Sequence, residues 1–411
     1  LARKQEELND TEATRLVEGL LKAETSQVAG FIDNLRPFRE WASDDLKTAF
    51  KKSSDVSNSK LHAALAMAEE DPSVRPFLQE RLLTVTPTQF AHVRDILADN
   101  AADFADEYWA IVNDNTQPPP RRFRAACAVA TYDSESDNWN NEVTQQFVAQ
   151  RLTEALPSEL QPRLASLQPV KQHLLLPLEA IFRDPAKSDQ VRSFATDTLL
   201  DFLHDQPEEL FELLADAEVN QFPMLFDRLL EFRDKAVELA HAEIEQSGVA
   251  NSNVEREASL RRTANAAVML LKMDAPDRVW PLLARSIDPG ARSQIVHRLS
   301  PLGVNASQLA ARLETESDVS VKRALLKSLG EFNDSQISDE VRTNLTEQLL
   351  LVYQNDPDAG LHSAAEWLLR RWQQSEPLQQ VTYGLEQNDQ EVKQSATDGK
   401  QWYVNGQGQT F

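Results

Sequence analysis

The chain has 411 residues, roughly two to three times a typical domain, and holds eleven glycines against twenty prolines, with 41% hydrophobic and 26% charged residues. Glycine supplies the positive-φ turns of sandwiches, barrels and phosphate-binding loops, so this scarcity argues against all-β and doubly wound α/β folds and leaves helices joined by short turns. Sixty-five acidic against 42 basic residues give a net charge of −23, a surface that repels phosphate backbones and argues against nucleic acid as the partner. In chain order, the stretch from Glu6 to Lys22 carries Leu16, Val17, Leu20 and Leu21 at helical spacing behind Asp10 as N-cap, and a second helix follows on Val28, Phe31, Ile32 and Leu35. Together they make an N-terminal helical pair over residues 1–52. The polar run Ser53-Ser54-Asp55-Val56-Ser57-Asn58-Ser59 reads as a long turn, with a linker as the alternative.

From about Leu61 one grammar recurs: an apolar-periodic helix, a short turn often marked Asp-Pro, then a helix that opens with a basic residue beside its first apolar position. Repetition on this scale predicts a solenoid. Asp71-Pro72, Asp184-Pro185, Asp288-Pro289 and Asp356-Pro357 each read as a helix start, Asp capping and Pro occupying the first turn. Thr86-Pro87-Thr88-Gln89 adds a capping box ahead of Phe90, Val93, Ile96 and Leu97. The second helices align at Val74-Arg75, Phe123-Arg124, Val191-Arg192, Leu260-Arg261, Ala291-Arg292, Val321-Lys322 and Leu361-His362, with irregular steps that imply diverged copies.

Asp288 to Leu299, Asp318-Val319-Ser320-Val321-Lys322-Arg323-Ala324-Leu325-Leu326-Lys327-Ser328-Leu329-Gly330-Glu331, and Asp356 to Trp372 resemble HEAT-type repeats, the middle one most clearly. That resemblance covers roughly residues 60 to 380 and, with the periodicity, predicts an all-α, right-handed α-solenoid of HEAT-like helical hairpins. A second resemblance lies at the end: Trp402-Tyr403-Val404-Asn405-Gly406-Gln407-Gly408-Gln409-Thr410-Phe411 looks like the lead into a formylglycine-generating, sulfatase-modifying-factor-like domain. The opening, Leu16-Val17-Glu18-Gly19-Leu20-Leu21-Lys22-Ala23 with Leu35-Arg36-Pro37-Phe38-Arg39-Glu40-Trp41, is similar to the segment after the kinase part of bacterial proteins that join a Ser/Thr protein kinase to such a domain. The resemblance implies three parts: residues 1–52 following a preceding domain, a solenoid over 53–385, and a linker with the start of a sulfatase-modifying-factor-like domain over 386–411. Neither the kinase motifs nor the downstream cysteines of the modifying domain occur here, so neither activity attaches to these residues.

The chemistry within the chain is sparse. Cys127, the single cysteine, sits in a small-residue helical run and reads as a buried hydrophobe. None of the seven histidines belongs to a His-Glu-x-x-His or Cys/His cluster; His241 with Glu245 is the best local pair, and it reads as a solvated helix face. His204-Asp205 reads as a helix end followed by a cap. No catalytic, metal or cofactor residue is assigned. No stretch approaches the roughly 18 to 20 apolar residues that span a bilayer, so membrane insertion by this segment is not expected. Localisation stays open between the cytoplasm and attachment to a membrane through an upstream part of the protein.

One pattern invites a site. Arg121, Arg122, Arg192, Arg261, Arg262, Arg292, Lys322 and Arg323 recur at second-helix starts. In a solenoid such positions form a ridge, which either binds an acidic or phosphorylated segment or pairs with Asp of the next turn as a ladder that sets register. The ladder is preferred, because the turns supply Asp at matching places. Trp367 and Trp372 read as packing between repeats in preference to an exposed hot spot. The expected function is a non-catalytic scaffold or spacer with a protein or peptide partner, including contacts to flanking domains. The alternative is a helical-repeat enzyme, DNA-glycosylase-like or lyase-like, working in a groove lined by basic residues.

Overall fold

The periodicity is realised as helices almost throughout. A computed structural model of the chain describes residues 2–246, 252–387 and 399–411. The fold is all-α, built from helical hairpins in the manner of a solenoid, and the chain divides into two compact units, Leu1–Phe202 and Leu203–Phe411.

The first unit contains α1 (Ala2–Lys22), α2 (Val28–Leu35), α3 (Arg39–Lys52), α4 (Asn58–Met67), α5 (Arg75–Leu82), α6 (Pro87–Ile96), α7 (Ala105–Asn113), α8 (Pro119–Tyr132), α9 (Glu142–Thr153), α10 (Pro157–Leu167), α11 (Lys171–Arg183) and α12 (Asp189–Phe202). Residues 1–52 form three helices, and α1 buries Leu16, Val17 and Leu20 and packs on α2, α3 and α4. Asp10, expected as an N-cap, lies inside α1, which begins at least two turns earlier than the apolar pattern does. The polar run after α3 is a turn, and Ser57 caps α4 by accepting from the Lys60 amide. Farther on, α7 packs against α8, whose run Ala125 to Ala130 is wholly buried; small side chains there allow close helix approach. The aromatic core of this region sets Trp109 edge-on to Trp139 with ring centroids 5.1 Å apart. Then α9 packs on α11 and α12, which form a hairpin.

The second unit contains α13 (Pro207–Asp216), α14 (Phe222–Leu229), α15 (Arg233–Gln246), α16 (Asn253–Lys272), α17 (Gly290–Leu299), α18 (Ala306–Thr315), α19 (Val319–Glu331), α20 (Asp339–Asn355), α21 (Ala359–Arg371) and α22 (Ser375–Leu385). Two layers are evident in its packing. One runs α16, α17, α19, α21, each against the next; the other runs α18, α20, α22, with α18 paired to α19 and α20 to α21. The layer order follows from amphipathicity: in α19 the buried positions Val321, Ala324, Leu325, Ser328 and Leu329 face partners on both sides, whereas Lys327 and Glu331 are exposed.

The turns correct the sequence reading in detail. Each Asp of the four Asp-Pro pairs accepts the amide two residues on, but only Asp71 is itself a cap, and it opens a 3₁₀ turn. After Asp184 the helix waits until Asp189, and the caps of α17 and α21 are Pro289 and Asp358. A side chain that closes on the second amide makes a small turn of its own and can postpone the helix. The cap of α13 is likewise Gln206, not Asp205. The capping box at Thr86 and Gln89 forms as expected.

Beyond α22 the chain makes one two-residue parallel pairing, β1 (Glu386–Gln387) with β2 (Val404–Asn405). Residues 388–398, within the stretch expected as a linker, lie outside the described residues. Residues 400–411 pack on the last hairpins: the Gln401 amide donates to the Pro357 carbonyl, and the Trp402 ring stacks on His362 at 3.7 Å.

Each unit buries a neutral histidine completely. His62 lies between the Leu20 carbonyl (3.0 Å) and the Thr25 hydroxyl (3.2 Å); His362 holds the Tyr353 carbonyl (2.7 Å) between the rings of Tyr353 and Trp402. Burial lowers both pKa values below the ordinary 6.5, outweighing Glu24 near the first and Glu366 near the second. Between the folded value and 6.5 the unfolded chain therefore binds protons that the folded chain refuses, so stability falls as pH drops through that window, by up to about 1.4 kcal/mol per pH unit for each histidine. The expected result is a lower urea midpoint at pH 5.5 than at pH 7.5, with the difference reduced in His62→Gln and His362→Gln variants; equal midpoints in the parent chain would refute it.

Candidate protein-interaction surface

The eight cations of the sequence-derived ridge are largely engaged within the chain. In the first unit Arg121 makes a two-pronged pair with Glu80 at 2.6 and 2.7 Å. Arg122 is buried, donates to the Val112 carbonyl and lies 4.1 Å from the Phe147 ring centroid. Arg192 bonds Asp189 one turn earlier at 2.6 Å.

In the second unit Arg261 reaches Glu218 at 3.0 Å, and Arg262 gathers three carboxylates, Glu212, Asp216 and Glu243. Arg292 donates to the Ser320 carbonyl at 2.9 Å, and Arg323 forks onto Asp358. Lys322 is half-buried and has no ion-pair partner among the described residues. A further cation outside the ridge, Arg256, pairs with Asp288 at 2.8 Å. Three of these contacts share one form. Arg256, Arg292 and Arg323 stand within the first five residues of α16, α17 and α19, and each reaches the start of the next helix in that layer.

Beside these rungs α17, α19 and α21 enclose an open hollow of about 600 Å³. Its floor is made of small residues, Ser293, Gly360, Ser363 and Ala364, and its polar lining is Arg292, His297, Lys327 and Glu331. Two glycines shape it. A Cβ on Gly360 would sit 2.2 Å from the Arg323 guanidinium carbon, and one on Gly330 would sit 2.1 Å from the Trp367 ring. Their bare backbones let Arg323 lie flat toward Asp358 and seat the indole of Trp367 on α19.

Arg371 also contacts that indole: its Nε donates to the Gly330 carbonyl and its guanidinium carbon lies 5.8 Å from the ring centroid. Even so, 41% of Trp367 is exposed. Trp367 is thus both a packing residue and a fixed aromatic platform facing the hollow, whereas Trp372 is buried. Burial and the neighbouring Arg323 depress the pKa of Arg292 against the attraction of Asp318. His297 faces Glu331 at 3.8 Å across the α17–α19 seam.

Glycines within helices were the available signal for this surface, since a glycine there costs helix stability and here leaves room for a neighbouring side chain. The sequence reading passed over them because the basic doublets were more conspicuous.

Elsewhere the chemistry is subdued. Cys127 is buried, and burial pushes its thiol up to about 12, which leaves it protonated and unreactive at neutral pH. Glu245 pairs with Arg278 at 2.7 Å instead of His241. Among the described residues no three His, Cys, Asp or Glu side chains gather into a metal site, and no helix is long and apolar enough to cross a membrane.

No family model and no curated protein matches the chain. Among solved structures it is similar to the karyopherin Kap121p bound to the extreme C-terminus of the protein phosphatase Cdc14p, at 14% identity and a TM-score of 0.37, over 88% of this chain and 46% of the karyopherin. The present chain thus spans about half the length of that protein, and the fold assignment rests on the helix packing.

Proposed function

We propose that this chain is a non-catalytic helical-repeat scaffold whose second unit receives an acidic peptide with an apolar anchor across α17, α19 and α21. The observation that carries the reading is Trp367, exposed yet pinned by Gly330 and Arg371 beside the cations Arg292 and Lys327. A rigid aromatic loses little entropy on binding, and the cations supply complementarity to an acidic segment.

Panning random peptides on the purified chain tests it. The expected outcome is an acidic consensus with one aromatic or aliphatic position, and affinity about 30-fold weaker for Trp367→Ala, as for a hot-spot residue, and several-fold weaker for Lys327→Glu. A basic consensus, or affinities untouched by both substitutions, would remove the reading.

Membership of a larger protein that joins a Ser/Thr kinase to a sulfatase-modifying-factor-like domain is part of the same proposal and is supported by the two terminal resemblances alone. Sequencing the gene beyond Leu1 and Phe411 decides it. A kinase motif upstream and the modifying domain downstream are expected; immediate start and stop codons would end that part of the proposal.

A further inference from the structure

A separate hollow of about 210 Å³ lies in the first unit, where α6, α8 and α10 converge. Its position follows from helix periodicity. Residues 120, 123, 124 and 127 form one stripe of α8, and 159, 162, 163 and 166 form one stripe of α10. The two stripes line the hollow from α8 and α10.

Its apolar lining includes Phe90 and Phe123, both buried, with Pro87, Pro120 and Pro162. Its polar groups are mostly cationic: Arg124, Arg151 and Arg163 against the single carboxylate Glu159. Glu159 is already taken by Arg163, whose guanidinium carbon also lies 5.0 Å from the Phe123 ring centroid. Arg151 is paired outward with Glu154, and its buried Nε has no partner. Arg124 is the anomaly. It is half-buried, donates to the Val85 carbonyl, and has no carboxylate within ion-pair distance among the described residues.

A guanidinium partly withdrawn from water, with one carbonyl and no carboxylate beside it, is an incompletely satisfied cation. Here burial, with the nearby charge of Arg163, lowers the pKa of Arg124 despite the opposing attraction of Glu159, which is engaged by Arg163. Such a cationic lining is conspicuous in a chain of net charge −23, and its deficit is one anion.

We propose that this pocket binds an organic carboxylate carried on a compact aromatic or aliphatic body. The carboxylate would fork onto Arg124, a planar match that a guanidinium makes well. The body would lie between Phe90 and Phe123. The volume suits a group slightly larger than benzene, which fills an engineered cavity of about 150 Å³. Two sources share this chemistry: a free arylalkanoate, and the C-terminal residue of a peptide ending in an aromatic side chain.

The test uses the whole chain and 3-phenylpropionate as probe, with the neutral 3-phenylpropanamide beside it, read by titration calorimetry. The acid is expected to bind, with the amide at least about tenfold weaker because it leaves the guanidinium without an anion. Arg124→Gln is expected to lose at least about tenfold for the acid and little for the amide, and Arg124→Lys to recover part of the loss. The acid and amide comparison on the unaltered chain stands even if a variant fails to fold. Equal binding of acid and amide, or binding of neither at millimolar concentration, overturns the proposal. A peptide ending in Phe, free and amidated at its C-terminus, separates the sources. Tighter binding of the free-ended peptide than of phenylpropionate assigns a chain terminus, and the reverse order assigns a small molecule; both orders support the pocket.

Discussion

Replacing Arg262 with methionine lowers the unfolding free energy of the second unit by about 3–5 kcal/mol, the cost of leaving buried charge uncompensated. Arg262 rises from α16 and ties it to α13 and α15: it contacts Glu243 at 2.7 Å, Glu212 at 2.9 Å and Asp216 at 3.1 Å. Burial works against its charge, yet the hydrogen bond to Glu243 and the attraction of all three carboxylates outweigh it and raise its pKa. The side chains of Asp216 and Glu243 are only 14% and 17% exposed. Without the cation these two carboxylates stay in the seam and repel each other.

A urea titration followed by tryptophan fluorescence reads the loss. Adding Asp216→Asn and Glu243→Gln to the methionine variant should restore most of it, because the penalty lies in the repulsion between the two carboxylates and not in the missing contact. A loss below about 1 kcal/mol would show that the network is solvated like an ordinary surface pair.

Trp402→Ala should release the chain's last residues from the hairpins beneath them. Trp402 is 4% exposed and stacks on His362, its indole N–H donates to the Asp356 carbonyl at 2.7 Å, and Lys400 lies 4.6 Å from its ring centroid. Truncating a buried tryptophan costs about 3–5 kcal/mol, more than the few backbone bonds of a two-residue strand pair can offset. Local opening is therefore the expected result: faster hydrogen exchange at the amides of Gln401 and Tyr403, with helical circular dichroism nearly unchanged. Unaltered exchange at those amides would show that the segment is held by something other than the indole.

Local features were the legible part of this chain. The apolar stripes of α19 and α21 and the capping box at Thr86 depend on neighbours a few residues apart, so their spacing reports them directly. The Asp-Pro pairs were legible as turns but not as caps, because an Asp side chain closes the same two-residue loop whether or not a helix follows at once.

Partners across the fold were not legible. Helical period says which face turns inward but not what meets it. Thus Arg323 and Asp358, 35 residues apart, left both a binding ridge and a ladder open. The sequence pattern marks Arg124 as well as Arg121 and Arg122, but it does not separate the two that are paired or buried from the one whose want of an anion depends on α6 and α10. Trp367 was judged by its apolar character; its exposure depends on a glycine 37 positions earlier.

The rungs among α16, α17, α19 and α21 use a generic address. Arg256 finds Asp288, Arg292 finds the Ser320 carbonyl, and Arg323 finds Asp358, always at the opening turn of the following helix. An oxygen acceptor at a helix start is the common currency of such stacks, so the recognition is between places in a repeat and not between individual residues. Duplication or loss of a whole hairpin would still offer an arginine an oxygen acceptor at the following helix start, provided that the new neighbour also leaves room for the guanidinium, as Gly360 does for Arg323. Space at each junction, and not a unique charge partner, then limits how hairpins can be exchanged.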